Sequence, residues 1–458
     1  GIALRLYRLP DFPIQLNHDE TSQLYDAISI AKTGRDIYGN FLPTTFPSVN
    51  DFKSPFYTYA TAFTYLILGD HEWIIRLPGV VFGILIIAVS YLFVLRLLNN
   101  RWIALLASFL ISVSPSGIFF SRKSFENIAG IFFMITAFYF LLSYTKKEKR
   151  IRFFYIGITF LAAGMYTYFS HAVILPLLLL AFVLIFRKSF SISRKKILLV
   201  LSFWVLLITP LFLIVLTNPD SRYRSQTVFI TQDINLGKRI EYTNRYKAIL
   251  DFSFKRYLDQ FDLVYIFGNG LDFVNQSPLG MGLLLLVELP FLFFGIIYLM
   301  KLKDFSQEKR FILAWILIGM IPSALTFETH SPHRSIMVFT MLDIISAIGL
   351  YWFLKIIYDI KTKFSFIKKV LPVILILVFA LNLIYFIHMY FVNFPFEKSQ
   401  YLQYPFKQVA IFAWLEYPNF ETIIFDPQFG DTAPEIGVGA HYYFAYYGHI
   451  NPAKFQKE

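Results

Sequence analysis

Apolar runs long enough to cross a bilayer recur through this chain, and no other feature limits its fold so strongly. Ten are legible, at 73–98, 102–120, 127–144, 153–169, 172–186, 197–217, 279–300, 311–327, 335–357 and 370–391. Each is near the length of about 20 residues that a helix needs to traverse the hydrocarbon core. Lipid offers the backbone no hydrogen-bond partner, so such runs are expected as helices. Charge is sparse as well: 16% of the 458 residues are Asp, Glu, Lys or Arg, against about 25% in soluble domains. The fold class expected is an all-α polytopic membrane bundle.

The loops between these runs sort by charge. Lys146 to Arg150, Arg187-Lys188 with Arg194 to Lys196, Lys301 to Arg310 and Lys361 to Lys369 are basic, and they alternate with loops poorer in Lys and Arg. The positive-inside rule assigns the basic set to the cytoplasm. Residues 10–72, 121–126, 169–171, 218–278, 328–334 and the tail after 392 then face outward, in the cell membrane. The net charge of +12 therefore reports topology first, and no nucleic-acid partner is expected. The absence of Cys excludes disulfides, thiolate zinc sites and thiol nucleophiles.

Four units follow. Residues 1–9 read as the remnant of a first transmembrane helix cut away near Leu6. Residues 10–72 form a long external loop, in which PFYTYATAFTYLILG (55–69) is too short to span and is expected to lie in the interface. Residues 73–391 form the bundle, with an external loop at 218–278. Residues 392–458 are an external segment that ends abruptly; it has a helix-like stretch, Gln408 to Glu416, and a strand-like one, Thr422 to Phe425, as in a small mixed α/β domain.

Unexplained charge gathers in the outward loops. NHDETSQLYDA opens a helix at Asn17 or Asp19, where a side-chain oxygen can cap orphan amides and acids suit the dipole. A carboxylate there can equally take a proton from a hydroxyl nucleophile. Lys53 in FKSPFYTY fits a snorkelling lysine or a phosphate clamp. Arg76 in IIRLPG opens a span, and a guanidinium matches phosphate bidentately. In SRKSFEN, Arg122 and Lys123 run against the charge rule, while Glu126 reads as a helix-start acid or as a second carboxylate facing Asp19. His18, Tyr57, His171, His333 and Arg334 are further candidates to line a substrate. The outward histidines permit a divalent metal, but none has compact ligand spacing, and no cofactor is assigned. No dinucleotide fingerprint, P-loop or GxSxG occurs.

RLYRLPDFPIQLNHDETSQLYDA, KSPFYTY, GDHEWIIRLPG and SPSGIFFSRKSFEN stand in the order found in GT-C glycosyltransferases of the family 39 type. That family includes protein O-mannosyltransferases and lipid A aminoarabinose transferases; YIFGNGLDFVNQSPLGMGLLLLVELPF and HSPHRSIMVF resemble its uncharacterised prokaryotic branch. The resemblance implies a GT-C bundle with interfacial helices in its first external loop. It also implies transfer of a sugar from a polyprenyl-phosphate carrier to an acceptor protein, glycan or lipid on the outer face. Asp19 resembles the essential acid and Glu20 the acid beside it. Lys53 resembles the lysine that contacts the carrier phosphate, Arg76 the arginine opening the next span, and Glu126 a second external acid. Phe52 stands where aminoarabinose transferases carry a metal-binding glutamate, which argues against metal dependence. The resulting expectation is an inverting transferase with Asp19 as base, Glu20 and Glu126 beside it, and Lys53, Arg76 and Arg122 on the donor phosphate. A lipid-linked saccharide flippase, or an oligosaccharide ligase or polymerase, is the alternative.

Overall fold

The structure, a computed structural model, describes residues 1–458 except 49–50, 149, 191–193, 218–226, 269–279, 302–305, 360–364, 399–402, 427–438 and 458. Parts of the basic loops at 301–310 and 361–369, and most of YIFGNGLDFVNQSPLG, thus lie outside the described residues.

The first loop follows the short helix α1 (Ile2–Leu6) and carries α2 (His18–Thr33) and α3 (Pro55–Leu68). Between the last two, β1 (Phe46–Ser48) and β2 (Asp51–Lys53) pair antiparallel, with Phe46 opposite Lys53. The bundle proper consists of α4 (Leu77–Leu98), α5 (Arg101–Val113), α6 (Pro115–Ser121), α7 (Asn127–Ser143), α8 (Ile151–Met165), α9 (Phe169–Phe186) and α10 (Arg194–Thr217). After α11 (Ile234–Tyr242) and α12 (Arg245–Asp259) it resumes with α13 (Leu289–Lys301), α14 (Ser306–Gly319), α15 (Pro332–Asp359) and α16 (Ser365–His388). The tail adds α17 (Tyr404–Glu416) and α18 (Ala440–Tyr447).

Among the described residues, five helices are long and apolar enough to cross a membrane, and the pair α5–α6, bent by 54°, makes a sixth when counted as one broken span. The protein is a multi-pass membrane protein. The bend has a local cause: Pro115 lacks an N–H and cannot continue α5, which leaves the last carbonyls of α5 without helical donors. Arg5 supplies them, donating to Ile111 O (3.4 Å) and Ser112 O (2.9 Å).

Two expectations change. The run at 279–300 becomes α-helical only from Leu289, after a 3-10 turn at Leu286–Glu288. Its start is pinned instead as irregular chain, with the Leu283 and Leu284 amides on Ile266 O and Leu283 O accepting from the Ser116 amide. Thr422 to Phe425 has no strand partner among the described residues, so the described tail is helical and the sheet lies in the first loop.

The two ends of the bundle separate by chemistry. Lys146 reaches Leu97 O and Glu308, and Gln307 reaches Ile185 O, so the basic stretches beginning at Lys146, Arg187 and Lys301 share one end. At the other end the tail packs on α2: Tyr443 donates to Leu16 O (2.8 Å) and Tyr25 to Ile450 O (3.1 Å). Between them α13 and α15 run parallel at close range. A Cβ on Gly349 would collide with the Phe291 carbonyl, and one on Gly295 with the Ile345 carbonyl.

Gly349→Ala should therefore push α13 from α15 and destabilise the bundle by about 1–3 kcal/mol, the usual cost of overpacking. Gly237→Ala, where a Cβ meets nothing, should leave the unfolding temperature in detergent unchanged or slightly higher.

Candidate functional site

The acidic pair divides its work at the first turn of α2. Asn17 caps the helix, its Oδ1 accepting from the Glu20 amide (2.8 Å), and Glu20 Oε2 accepts from the Asn17 amide (3.3 Å), a reciprocal capping box. Glu20 is 2% exposed. Its other oxygen accepts from the Ser124 amide (3.2 Å) and lies 3.5 Å from Arg76 Nε. Asp19, one residue earlier on the helix, is turned outward with half its side chain exposed.

The hairpin delivers Lys53 to that turn. Lys53 Nζ lies 3.2 Å from Asp19 Oδ1 and donates to Asp19 O (2.5 Å) and Ser22 Oγ (2.9 Å). His18 Nε2 stands 3.7 Å from Asp19 Oδ2, and Gln403 of the tail binds His18 through the backbone amide (2.6 Å) and Nδ1 (3.1 Å). Glu126, just before α7, accepts from Gln23 Nε2 (3.0 Å). Burial pushes its carboxyl up to about 8; nearby Lys53 opposes that rise and Asp19 adds to it. Asp19, Lys53 and Glu126 thus share one electrostatic neighbourhood.

Arg76 and Arg122 have another task than the one expected. Arg76 donates to Leu9 O (3.2 Å), Pro13 O (2.9 Å) and Gln15 O (2.9 Å). Arg122 donates to Leu4 O, Arg5 O, Arg8 O and Phe12 O at 2.9–3.4 Å and stacks on Tyr390 and Phe391. Both are almost wholly buried, and both terminal guanidinium nitrogens of each are spent on backbone carbonyls. They fasten residues 4–15 to the bundle, and this leaves no exposed fork for a phosphate. Lys123, also buried, lies over the rings of Phe119, Phe125 and Phe394. Burial lowers its ammonium to about 8; Glu20 acts against this shift and Arg76 with it.

The other candidates divide. Tyr57 is structural, donating to Ile75 O (2.9 Å) and accepting from the Gly79 amide (3.0 Å). His333 borders the site, its ring against Phe125 and Tyr168 and its carbonyl accepting from Asn127. Arg334 pairs with Glu328 (2.9 Å). His171 is buried, with Thr167 Oγ1 3.3 Å from its Nδ1. Among the described residues no three His, Asp or Glu side chains converge as a metal site. Ser22, Gln23 and Gln403 are contributors that the sequence reading missed. For Ser22 and Gln23 the signal was available, since they lie three and four residues after Asp19 on one helix face. Gln403 carried none, being nearly 400 residues away.

The comparisons with known proteins agree with this architecture. The model of the family described as dolichyl-phosphate-mannose-protein mannosyltransferase matches residues 52–214. No curated protein matches. Among solved structures, ArnT from Cupriavidus metallidurans bound to undecaprenyl phosphate superposes with a TM-score of 0.55 at 11% identity, over 96% of this chain and 84% of that one. The Archaeoglobus fulgidus oligosaccharyltransferase tethered to an acceptor peptide gives 0.56 at 15% identity, over 98% of this chain. AglB from the same organism, in complex with an inhibitory peptide and a dolichol-phosphate, gives 0.56 at 14%. The chain spans only 62% of the length of these two archaeal structures. Residues 52–214 thus resemble that mannosyltransferase family, and the chain as a whole shares the fold of ArnT and of the archaeal oligosaccharyltransferase.

Proposed function

We propose that the protein transfers a sugar from a polyprenyl-phosphate carrier to an acceptor hydroxyl at the outer membrane surface, with Asp19 as the general base. The observation that carries this reading is the contact of Lys53 with an outward-facing Asp19, beside a buried Glu126. A polyprenyl donor cannot leave the bilayer, so its reacting carbon sits at headgroup depth. Solved relatives in the same fold hold undecaprenyl phosphate and dolichol-phosphate, which supports a carrier of that class here.

The step is a direct displacement. The acceptor oxygen forms a bond to the anomeric carbon as the bond from that carbon to the phosphate oxygen breaks. The hydroxyl proton passes to Asp19, and the electron pair leaves on the carrier phosphate. One displacement inverts the anomeric centre. The leaving phosphate needs charge stabilisation more than protonation, and Lys53 provides it by exchanging Ser22 Oγ for a phosphate oxygen. Glu126, protonated near neutral pH, donates a hydrogen bond to substrate. Glu20, Arg76 and Arg122 keep the turn in place and do not touch the donor. The acceptor is a protein, glycan or lipid. A flippase would use the same lysine but no base, and a ligase would carry a preassembled glycan.

Asp19→Asn should lower transfer from a polyprenyl-phosphate sugar in vesicles by about 10²–10⁴-fold, the usual range for a general base. Full activity in that variant would remove the base assignment and favour the flippase, whose transport should survive the change.

Glu126 yields a pH prediction. Its folded carboxyl titrates near 8 and its unfolded one near 4.5, so the folded state holds the extra proton between those values. Stability is full below about 4.5 and is lost as pH rises through about 8. Glu126→Gln should flatten that decline in unfolding temperature and remove any loss of transfer activity centred near pH 8.

Arg76→Ala should act on stability. It removes the guanidinium beside buried Glu20, with Lys123 left as the nearby cation, and the donors to Leu9, Pro13 and Gln15, a loss of about 3–5 kcal/mol read as a lower unfolding temperature. In the fraction that remains folded, the KM for donor should stay close to the parent value; a large rise in KM with unchanged stability would return Arg76 to the phosphate.

A further inference from the structure

A second set of ionisable groups lies inside the bundle, away from the proposed active site. Arg5, Glu288 and Asp343 are 1%, 0% and 2% exposed. Glu288 immediately precedes α13, while Asp343 and Ser346, three residues apart, share one face of α15. The close parallel approach of these helices sets the Glu288 carboxyl against Asp343 and Ser346. Glu288 Oε1 and Oε2, Asp343 Oδ1 and Ser346 Oγ face one another there, and none of the four closes a hydrogen bond of full geometry. Ser114, from the α5–α6 break, also faces Asp343.

Charge at this depth is costly unless it is balanced. Arg5 faces Asp343 and provides one positive charge. With Asp343 and Thr340 it lines a cavity of about 20 Å³, room for a single water. Arg5 Nε is itself without an acceptor, so a water there would join it to Asp343 Oδ1. Two carboxylates against one guanidinium still leave one negative charge. An all-oxygen donor set suits a hard ion, and a divalent one would overshoot the balance by one charge.

We propose that Glu288, Asp343 and Ser346 form a buried site for one small monovalent cation, either a proton bridging the two carboxyls or a sodium ion held by the same oxygens. The bound cation makes the cluster with Arg5 electroneutral. It leaves Arg5 on the carbonyls that end α5, directly below the segment that Arg122 fastens. The proposal is independent of the transfer chemistry, and its test does not use activity.

The test combines two measurements on purified protein in detergent. The first is the unfolding temperature in sodium chloride against choline chloride at fixed ionic strength. The second is the infrared difference spectrum at neutral pH between the parent and Glu288→Gln. A sodium occupant raises the unfolding temperature by several degrees in sodium alone, and the rise disappears in Glu288→Gln and Ser346→Ala. A proton occupant gives no sodium effect. It shows instead a protonated-carboxyl band that Glu288→Gln removes, and that variant stays near the parent stability because an amide mimics the neutral acid. Should Glu288→Gln fail to fold, Asp343→Asn takes its place in both measurements. Absence of a sodium effect together with absence of the band overturns the site.

Discussion

Residues 4–15 stay on the bundle because two buried guanidiniums bind their carbonyls, and the rest of the site depends on that fastening. Arg76 and Arg122 reach seven carbonyls between them, three and four respectively. An irregular chain packed against apolar helices must find donors for its carbonyls within the protein, and an arginine offers five N–H groups in a fixed fork. The clamp ends at Gln15, two residues before the cap of α2. Glu20 then links that cap back to Arg76 and to the Ser124 amide. One chain of polar contacts therefore sets where Asp19 points and where Glu126 begins α7.

Within this frame the two acids of the first turn are not equivalent. Glu20, in the third position after the cap, can reach back to the Asn17 amide and so turns inward. Asp19 lies on the other side of the turn and keeps half its surface open. Lys53 reaches Asp19 only because the β1–β2 hairpin folds back beneath α2, a contact also marked by the Ser22–Ser48 hydroxyl pair at 3.1 Å. The tail closes the assembly through Gln403 and Tyr443. Solved glycosyltransferase structures at 11–15% identity share this fold, so the architecture tolerates wide change in sequence.

Much of this was legible from the residues alone. Apolar length made the helices, since lipid leaves the backbone no other solution. The alternation of basic loops separated the ends, and Lys146 and Glu308 do meet at one of them while Gln23 and Glu126 meet at the other. The DE pair, the lysine of KSP and the acid of SRKSFEN stood out because charge beside apolar spans requires a reason. What misled was the assumption that an arginine at a helix end serves a ligand. Arg76 and Arg122 serve the backbone of their own chain, and no local pattern distinguishes the two uses. Glu288 and Asp343 lay unnoticed within apolar runs, where single acids barely lower a window's hydropathy.

The sequence by itself determined that this chain is a helical membrane protein, which loops share an end, and which charged segments are unexplained by topology. These follow from solvation free energies summed over contiguous residues, and contiguity is what a sequence displays. Only the tertiary structure decided which acid is open and which is buried, that Lys53 rather than an arginine faces Asp19, and that Arg5, Glu288 and Asp343 lie together at depth. Those outcomes depend on contacts between residues 34, 56 and more than 280 positions apart. Such contacts are fixed by how closely helices approach and by which donors remain for orphan carbonyls, and both appear only once the chain is packed.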